Sequence, residues 1–248
     1  MVNDEMAEVV RSRPSRFAAF AYLPLQDPVA SAQELRRCVQ DLGHVGAIVG
    51  TNVNGRHWDD PALAPVLEAA EELQALVFVH PTRIRGADFL GRYHLRNLVG
   101  NPLETTLAFS SLVFGGLLDR FPRLRVCLAH GGGYACLGIG RLDHGYSVRP
   151  ESSPSRPGEA AEPPSSYLRR IYVDSLVHSD ETLALILDRV GADRVFLGTD
   201  YPADMGQPDP VAWVRACNTI SEEDKQAILG GNFLRLFPDR FSQSAVGA

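Results

Sequence analysis

The chain has 248 residues, 45% of them hydrophobic and 22% charged, which is the composition of an ordinary globular protein with a sizeable core. Its formal net charge is -6 at pH 7, and Lys and Arg form no cluster, which argues against nucleic acid or an anionic membrane as a partner. The sequence has no apolar run of about 18 residues, so no membrane-spanning helix is expected.

The N-terminal segment and the cysteines predict a cytoplasmic protein. Residues 1–13 carry acidic side chains and lack an apolar core, which is not typical of a secretory signal. Cys38, Cys127, Cys136 and Cys217 are scattered without a Cys-x-x-Cys spacing. Such cysteines are typical of free thiols in a reducing compartment.

Short apolar runs alternate with segments of helical periodicity along the chain. The predicted strands are residues 16–25, 46–53, 75–80, 124–130, 170–174 and 194–199. The predicted helices are residues 31–42, 61–74, 105–120, 179–190 and 221–229, with Ser179 or Asp180 as an N-cap. A stretch rich in Pro, Ser and Glu at 148–166 predicts a long loop.

The pattern of these elements predicts an α/β fold. Continuous apolar runs indicate strands that are covered on both faces, as in parallel sheets. Repeated strand–helix units are typical of either a barrel or an open doubly wound sheet. A single domain over residues 1–248 is expected, because barrels of about 250 residues usually form one domain.

Three predicted strands end in polar residues at the point where the apolar run stops. These residues are His80, His130 and Asp200. In a parallel barrel the carboxyl ends of the strands form the rim where ligands bind. Two imidazoles and a carboxylate at that rim are suitable ligands for Zn²⁺ or Mn²⁺. Each residue also has a simpler interpretation, in which it closes a hydrogen bond at a strand end and the glycines after His130 permit a tight turn.

Several motifs are specific in combination. They are VFVHP (77–81), NPLETT (101–106), GGLLDRFPRLRVCLAHGGG (115–133), GRLDHG (140–145), YVDS (172–175), LGTDYP (197–202) and GNFLRLF (231–237). With these motifs the chain resembles the amidohydrolase superfamily almost from end to end. The resemblance is to the branch that contains aminocarboxymuconate-semialdehyde decarboxylase and related decarboxylases.

The resemblance implies a (β/α)₈ TIM barrel of the metal-dependent hydrolase type and assigns roles to the three rim residues. His80 is implied as a metal ligand, Asp200 as a second ligand that also handles a proton, and His130 as the catalytic histidine. The implied cofactor is a divalent metal, Zn²⁺ ahead of Mn²⁺. The implied reaction is loss of CO₂ from a small unsaturated or aromatic carboxylic acid, primed either by metal hydroxide or by a protonated acid.

Two further residues are candidates for substrate binding. Arg56 lies in the loop after the second predicted strand, where it would bind a carboxylate bidentately or remain a solvated charge. Tyr93 follows the strand of His80, in a region where the family has aromatic residues near the substrate.

The sequence departs from the family pattern at its start. The family begins with a strand that carries His-x-His, both metal ligands, and this sequence contains no His-x-His. The resemblance therefore implies an incomplete barrel with about six of the eight strands. A start codon set too late, a gene fragment and a fold completed by a partner chain are the explanations, and we favour the first. Because barrel relatives commonly dimerise and exposed sheet edges associate, a homodimer is a candidate assembly.

Three hypotheses for function remain open at this point. The first is a metal-dependent decarboxylase, with a small carboxylic acid as substrate. The second is a metal-dependent hydrolase of an amide, lactone or ester, since one fold supports both reactions. The third is an inactive fragment or interaction subunit that lacks the His-x-His pair.

Overall fold

Six strands form one parallel sheet in the computed structural model, which describes residues 1–149, 151–152 and 160–241. The strands are β1 (Phe20–Tyr22), β2 (Gly46–Gly50), β3 (Leu76–His80), β4 (Arg125–Leu128), β5 (Tyr172–Asp174) and β6 (Val195–Phe196). All six predicted strands are confirmed. The observed strands are shorter because the apolar runs continue beyond the paired residues into the loops.

The strands follow one another in chain order, from β1 at one edge to β6 at the other. A doubly wound sheet reverses its strand order at a switch point, and this sheet does not. The consecutive parallel order therefore decides between the two predicted architectures in favour of the barrel type. Among the described residues the sheet contains six strands, in agreement with the predicted incomplete barrel.

Helices connect the strands. The α-helices are α1 (Val2–Ser12), α2 (Pro28–Gln40), α3 (Ala64–Glu72), α4 (Asn101–Phe114), α5 (Leu117–Arg120), α6 (Ala135–Val148), α7 (Pro164–Leu168), α8 (Asp180–Val190), α9 (Pro210–Ala216), α10 (Glu222–Gln226) and α11 (Asn232–Leu236). Helix α8 begins at the predicted N-cap, where the hydroxyl of Ser179 accepts a hydrogen bond from the amide of Thr182 at 3.2 Å.

The predicted helix at 105–120 is wrong in one respect, because it is two helices. It breaks between α4 and α5, where Gly116 has a left-handed φ of 65°. A Cβ atom on the neighbouring Gly115 would lie 2.4 Å from Cβ of Asp59, so the chain passes too close to the preceding loop for a larger residue.

The two faces of the sheet differ in composition because side chains alternate along a strand. In β3, Val77 and Val79 pack with the helices in the large apolar core. Leu76 lies on the other face, in a smaller cluster that includes Phe78 and Phe196. His80 continues the series of Leu76 and Phe78, and β3 ends there because Pro81 has no amide hydrogen to donate.

Several other features bear on the sequence predictions. The predicted loop at 148–166 falls partly outside the described residues, and helix α7 begins within its last residues. All four cysteines are free and buried. None of the helices in the described part of the chain is both long enough and apolar enough to cross a membrane.

Asn3 connects helix α1 to the edge strand β1 through hydrogen bonds. Its side-chain oxygen accepts a hydrogen bond from the amide of Tyr22 at 2.8 Å, and its nitrogen donates to the carbonyl of the same residue at 3.0 Å. The Asn3 nitrogen also donates to Glu34 of α2 at 2.7 Å. Because Asn3 is buried, these bonds replace solvent at the β1 edge.

We expect Asn3→Ala to lower the free energy of unfolding by about 1–3 kcal/mol, the cost of leaving buried backbone groups unpaired. Urea denaturation measures this difference. Glu8→Ala, at an exposed position of the same helix, is the matched control and should have little effect. Equal losses in the two variants would show that the bonds to Tyr22 do not stabilise the fold.

Candidate active site

Three residues predicted from the sequence meet at one end of the sheet. His80 is the last residue of β3, His130 lies two residues beyond β4, and Asp200 lies four residues beyond β6. All three therefore lie at the carboxyl ends of parallel strands, the edge at which barrel enzymes bind their ligands.

The side chains of these residues are close to one another. Nε2 of His80 lies 3.2 Å from Oδ1 of Asp200, and Nε2 of His130 lies 3.7 Å from Oδ2 of the same carboxylate. The ring centroids of His80 and His130 are 5.0 Å apart. The exposed fractions of the three side chains are 25% for His80, 13% for His130 and 18% for Asp200, so they are shielded but accessible.

This donor set fits a divalent metal. One ligand atom from each of His80, His130 and Asp200 can be chosen such that all lie within 4.8 Å of one another. Ligands about 2.1 Å from a common ion are about 3–4 Å apart, which is close to the spacing observed here. Two imidazoles and a carboxylate are donors suited to Zn²⁺ and Mn²⁺. In addition, Nδ1 of His130 is buried and has no hydrogen-bond partner among the described residues.

Two of the three residues have an unusual backbone conformation. His130 has a φ of 56° and Asp200 a φ of 52°, both in the left-handed region that residues other than glycine rarely adopt. Such conformations persist where the surrounding structure fixes them, and they cluster at functional sites. The strain thus supports a functional interpretation of the two residues over a purely structural one.

The glycines after His130 are required by close packing. A Cβ atom on Gly131 would lie 2.4 Å from Val177, and one on Gly133 would lie 2.2 Å from the carbonyl oxygen of Pro102. Both glycines have positive φ angles, 61° and 67°. The tight turn inferred from the sequence is therefore present, and it places His130 against Asp200 while the chain turns towards α6.

Asp174, at the end of β5, stabilises this turn through hydrogen bonds. Its Oδ1 accepts hydrogen bonds from the amides of Gly131 at 3.0 Å and Leu176 at 3.1 Å. Burial raises the pKa of the Asp174 carboxyl and lowers the pKa of the His130 imidazole, because both lose water around their charged forms. These contacts give Asp174 a supporting role at the rim, through hydrogen bonds to the turn that carries His130.

Three cavities reach His80, His130 and Asp200, which together are called the triad. One is called the lumen cavity because it lies inside the curve of the sheet, and the other two are named by the strands that border them. The lumen cavity, about 430 Å³, contains His80 and Asp200 and is lined by aromatic residues such as Phe78 and Phe196. The β4–β5 cavity, about 320 Å³, contains His130 and Asp200. The β1–β3 cavity, about 340 Å³, contains His80 and lies at the carboxyl ends of those strands.

The two predicted substrate-binding residues do not line these cavities. Tyr93 is largely exposed, and it does not line any of the three cavities. Arg56 does not line them either, and its guanidinium lies 3.8 Å from the carboxylate of Asp60. A role for either residue in substrate binding stays a prediction.

A buried network beside the β1–β3 cavity was not predicted. Glu104 is almost fully buried and accepts hydrogen bonds from the guanidinium of Arg85 at 2.9 and 3.0 Å. Thr51 and Asn52 also donate to Glu104, at 3.1 and 3.0 Å. Glu104 lies in the NPLETT motif, which was the available signal, but its partners are distant in sequence. The network ties the loops after β2 and β3 to helix α4.

The fold and the site define a metal-dependent enzyme of the barrel type, and the comparison with known families agrees. The amidohydrolase family model matches residues 2–238, and the chain belongs to this family. The superfamily predicted from the sequence is thereby confirmed.

Several relatives of this chain are decarboxylases. The chain is 42% identical over 247 residues to 2-amino-3-carboxymuconate-6-semialdehyde decarboxylase of Dictyostelium discoideum, covering 97% of this chain and 67% of that protein. This relative confirms the predicted branch of the superfamily.

Solved structures agree as well. The crystal structure of 5-carboxyvanillate decarboxylase from Sphingomonas paucimobilis has a TM-score of 0.86 and 30% identity, covering 95% of this chain and 71% of that one. A dihydroxybenzoic acid decarboxylase from Polaromonas sp. JS666, with bound manganese and the inhibitor 2-nitroresorcinol, has a TM-score of 0.82 and 29% identity. That match covers 96% of this chain and 74% of the other.

Proposed function

We propose that this protein is a metal-dependent decarboxylase of a small unsaturated or aromatic carboxylic acid. The observation that carries the proposal is the meeting of His80, His130 and Asp200 at the carboxyl ends of β3, β4 and β6. The relatives named above, all decarboxylases, favour this reaction over hydrolysis of an amide, lactone or ester.

The proposed metal ligands are His80 and Asp200, with His130 next to them. A bound divalent metal would supply positive charge that polarises the substrate oxygens and stabilises the electron pair left on carbon. His80 would orient the ion from β3, and Asp200 would neutralise part of its charge from the β6 side. Two carboxylate oxygens allow Asp200 to face both histidines at once, as it does in the structure.

Decarboxylation requires a proton, and we assign its transfer to His130. When CO₂ leaves a carboxylate, the carbon that carried it keeps the electron pair and must receive one proton. Nε2 of His130 faces Oδ2 of Asp200 at 3.7 Å, and in this proposal the two groups would hold and deliver that proton. Burial lowers the pKa of the His130 imidazole and so favours its neutral form, which would first take a proton from solvent and then pass it to the carbon.

The identity of the metal is the finer part of this proposal. Imidazole and carboxylate donors suit both Zn²⁺ and Mn²⁺, and the sequence prediction ranked Zn²⁺ first. The dihydroxybenzoic acid decarboxylase of Polaromonas contains manganese, which supports Mn²⁺ as an equal candidate. Metal-free protein reconstituted with each ion separately will distinguish them.

The proposed function is tested by measuring CO₂. The protein is loaded with Mn²⁺ or Zn²⁺ and incubated with a panel of unsaturated and aromatic carboxylic acids, alongside amides, lactones and esters. We expect CO₂ release from at least one acid, and its loss on chelation. Hydrolysis of an amide, lactone or ester without CO₂ would favour the alternative reaction. Metal-loaded protein inactive on the whole panel would support an interaction subunit instead.

The predicted assembly and location are further parts of the proposal. A homodimer would double the mass measured by light scattering on a sizing column, whereas a monomer would retain the 27.1 kDa of one chain. A cytoplasmic location, predicted from the free cysteines, would place the fluorescently tagged protein in the cytosol.

A further inference from the structure

The β1–β3 cavity is almost free of charge. It shares His80 with the proposed metal site, and its other lining residues are apolar or neutral polar, with a single exception. That exception is Arg83, three residues after His80. A ligand held at the triad and extending into this cavity would therefore meet one positive charge.

Arg83 has no counterion in the described part of the chain. Its side chain is exposed, and its guanidinium takes part in no ion pair or hydrogen bond there. The neighbouring arginines differ: Arg85 is paired with Glu104 at 2.9 Å, and Arg56 faces Asp60 at 3.8 Å. Glu104 already accepts hydrogen bonds from Arg85, Thr51 and Asn52, which leaves the charge of Arg83 uncompensated.

The backbone that carries Arg83 is anchored. Nδ2 of Asn52, a buried side chain, donates to the carbonyl oxygen of Arg83 at 2.9 Å. Two residues later, the amide of Arg85 donates to Glu104 at 2.9 Å. The loop is thus held at the carbonyl of Arg83 and again at the amide of Arg85, and the unpaired guanidinium extends from this anchored backbone beside the cavity. A cation fixed in this way loses less conformational freedom on binding an anion.

We propose that Arg83 binds a second acidic group of the substrate in the β1–β3 cavity, so that the protein selects acids with two carboxylates over acids with one. This inference rests on the proposed function for the position of the first carboxylate at the triad. A guanidinium matches a carboxylate bidentately, which makes arginine well suited to this recognition. The β4–β5 cavity, on the other side of the triad, is lined by apolar residues such as Leu137 and Met205 together with polar ones. Neither lysine nor arginine is among its lining residues, and it would accept an uncharged part of the substrate.

A pair of non-reactive probes tests the inference by equilibrium binding. Benzoate and benzene-1,3-dicarboxylate differ by one carboxylate, and their dissociation constants for the Mn²⁺-loaded protein are measured by calorimetry. We expect the dicarboxylate to bind about tenfold more tightly at low salt, with the preference decreasing as salt screens the exposed guanidinium. Wild-type protein without this preference, including protein that binds neither probe, would overturn the inference.

Arg83→Gln keeps the polarity of the side chain but removes its charge. We expect this variant to bind the two probes equally while its affinity for benzoate stays within about twofold of wild type. Arg96→Gln is the matched control, an exposed arginine that lines none of the three cavities, and it should retain the preference. Retention of the preference in Arg83→Gln, or equal weakening of both probes, would contradict the assignment.

The test of CO₂ release and the test of dicarboxylate binding can fail independently of each other. If no acid releases CO₂ but the preference for the dicarboxylate depends on Arg83, then the proposed reaction is wrong and the acid-binding role stands. If CO₂ is released and the preference is unaffected by Arg83→Gln, then the reaction stands and the role of Arg83 is wrong.

Discussion

Asp200→Ala is expected to weaken binding of the divalent metal by more than about 100-fold and to abolish measurable CO₂ release. Loss of a residue that only supports a ligand typically costs about 10–100-fold in metal affinity, and loss of a ligand should cost more. The carboxylate of Asp200 faces both histidines, so its removal leaves the two imidazoles without a negative charge beside them to balance the ion. Elemental analysis after dialysis and titration with Mn²⁺ measure the effect.

Asp204→Ala is the control for this variant. Asp204 lies four residues further along the same loop, is exposed, and does not line the cavities that reach the triad. It should bind metal as wild type does. Equal metal content in Asp200→Ala and Asp204→Ala would remove Asp200 from the ligand set.

His130→Ala is expected to reduce the rate of CO₂ release by about 10²–10⁴-fold, the usual contribution of general acid–base catalysis. Its effect on metal binding should be smaller than that of Asp200→Ala, because the family resemblance implies proton transfer for His130 and metal binding for His80. The kcat and the bound metal are measured on the same preparation, so that a loss of rate can be separated from a loss of metal.

His144→Ala provides the comparison for His130→Ala. His144 is an exposed histidine of α6, outside the triad, and its replacement should leave both quantities unchanged. Full activity in His130→Ala would contradict a role in proton transfer. Loss of metal as complete as in Asp200→Ala would show that His130 is itself an essential ligand.

The sequence predicted the strands and the triad because both depend on local signals. Each strand is a short apolar run that ends in a polar residue. Because the connecting helices bring the chain back so that all strands run in the same direction, these polar residues lie together at one rim of the sheet. His80, His130 and Asp200 were therefore located from three separate segments, without knowledge of how those segments pack.

Other features depend on contacts that a linear pattern does not contain. Glu104 binds Arg85 from a position 19 residues away and Thr51 from 53 residues away, and no periodicity connects these residues. Helix α6 was not predicted because Gly138, Gly140 and Gly145 lower its helix propensity, so packing must stabilise it. The left-handed backbone of His130 and Asp200 also arises from tertiary constraint, since residues other than glycine seldom adopt that conformation, even though Asp and His do so more often than most.

The most direct test of the metal site is a crystal of the full chain grown with Mn²⁺ and measured for anomalous scattering. We predict one strong peak about 2 Å from Nε2 of His80 and from a carboxylate oxygen of Asp200, with His130 bordering it. A peak at another place in the molecule, or none at these residues in crystals that contain the ion, would contradict a shared metal site at the mouth of the barrel.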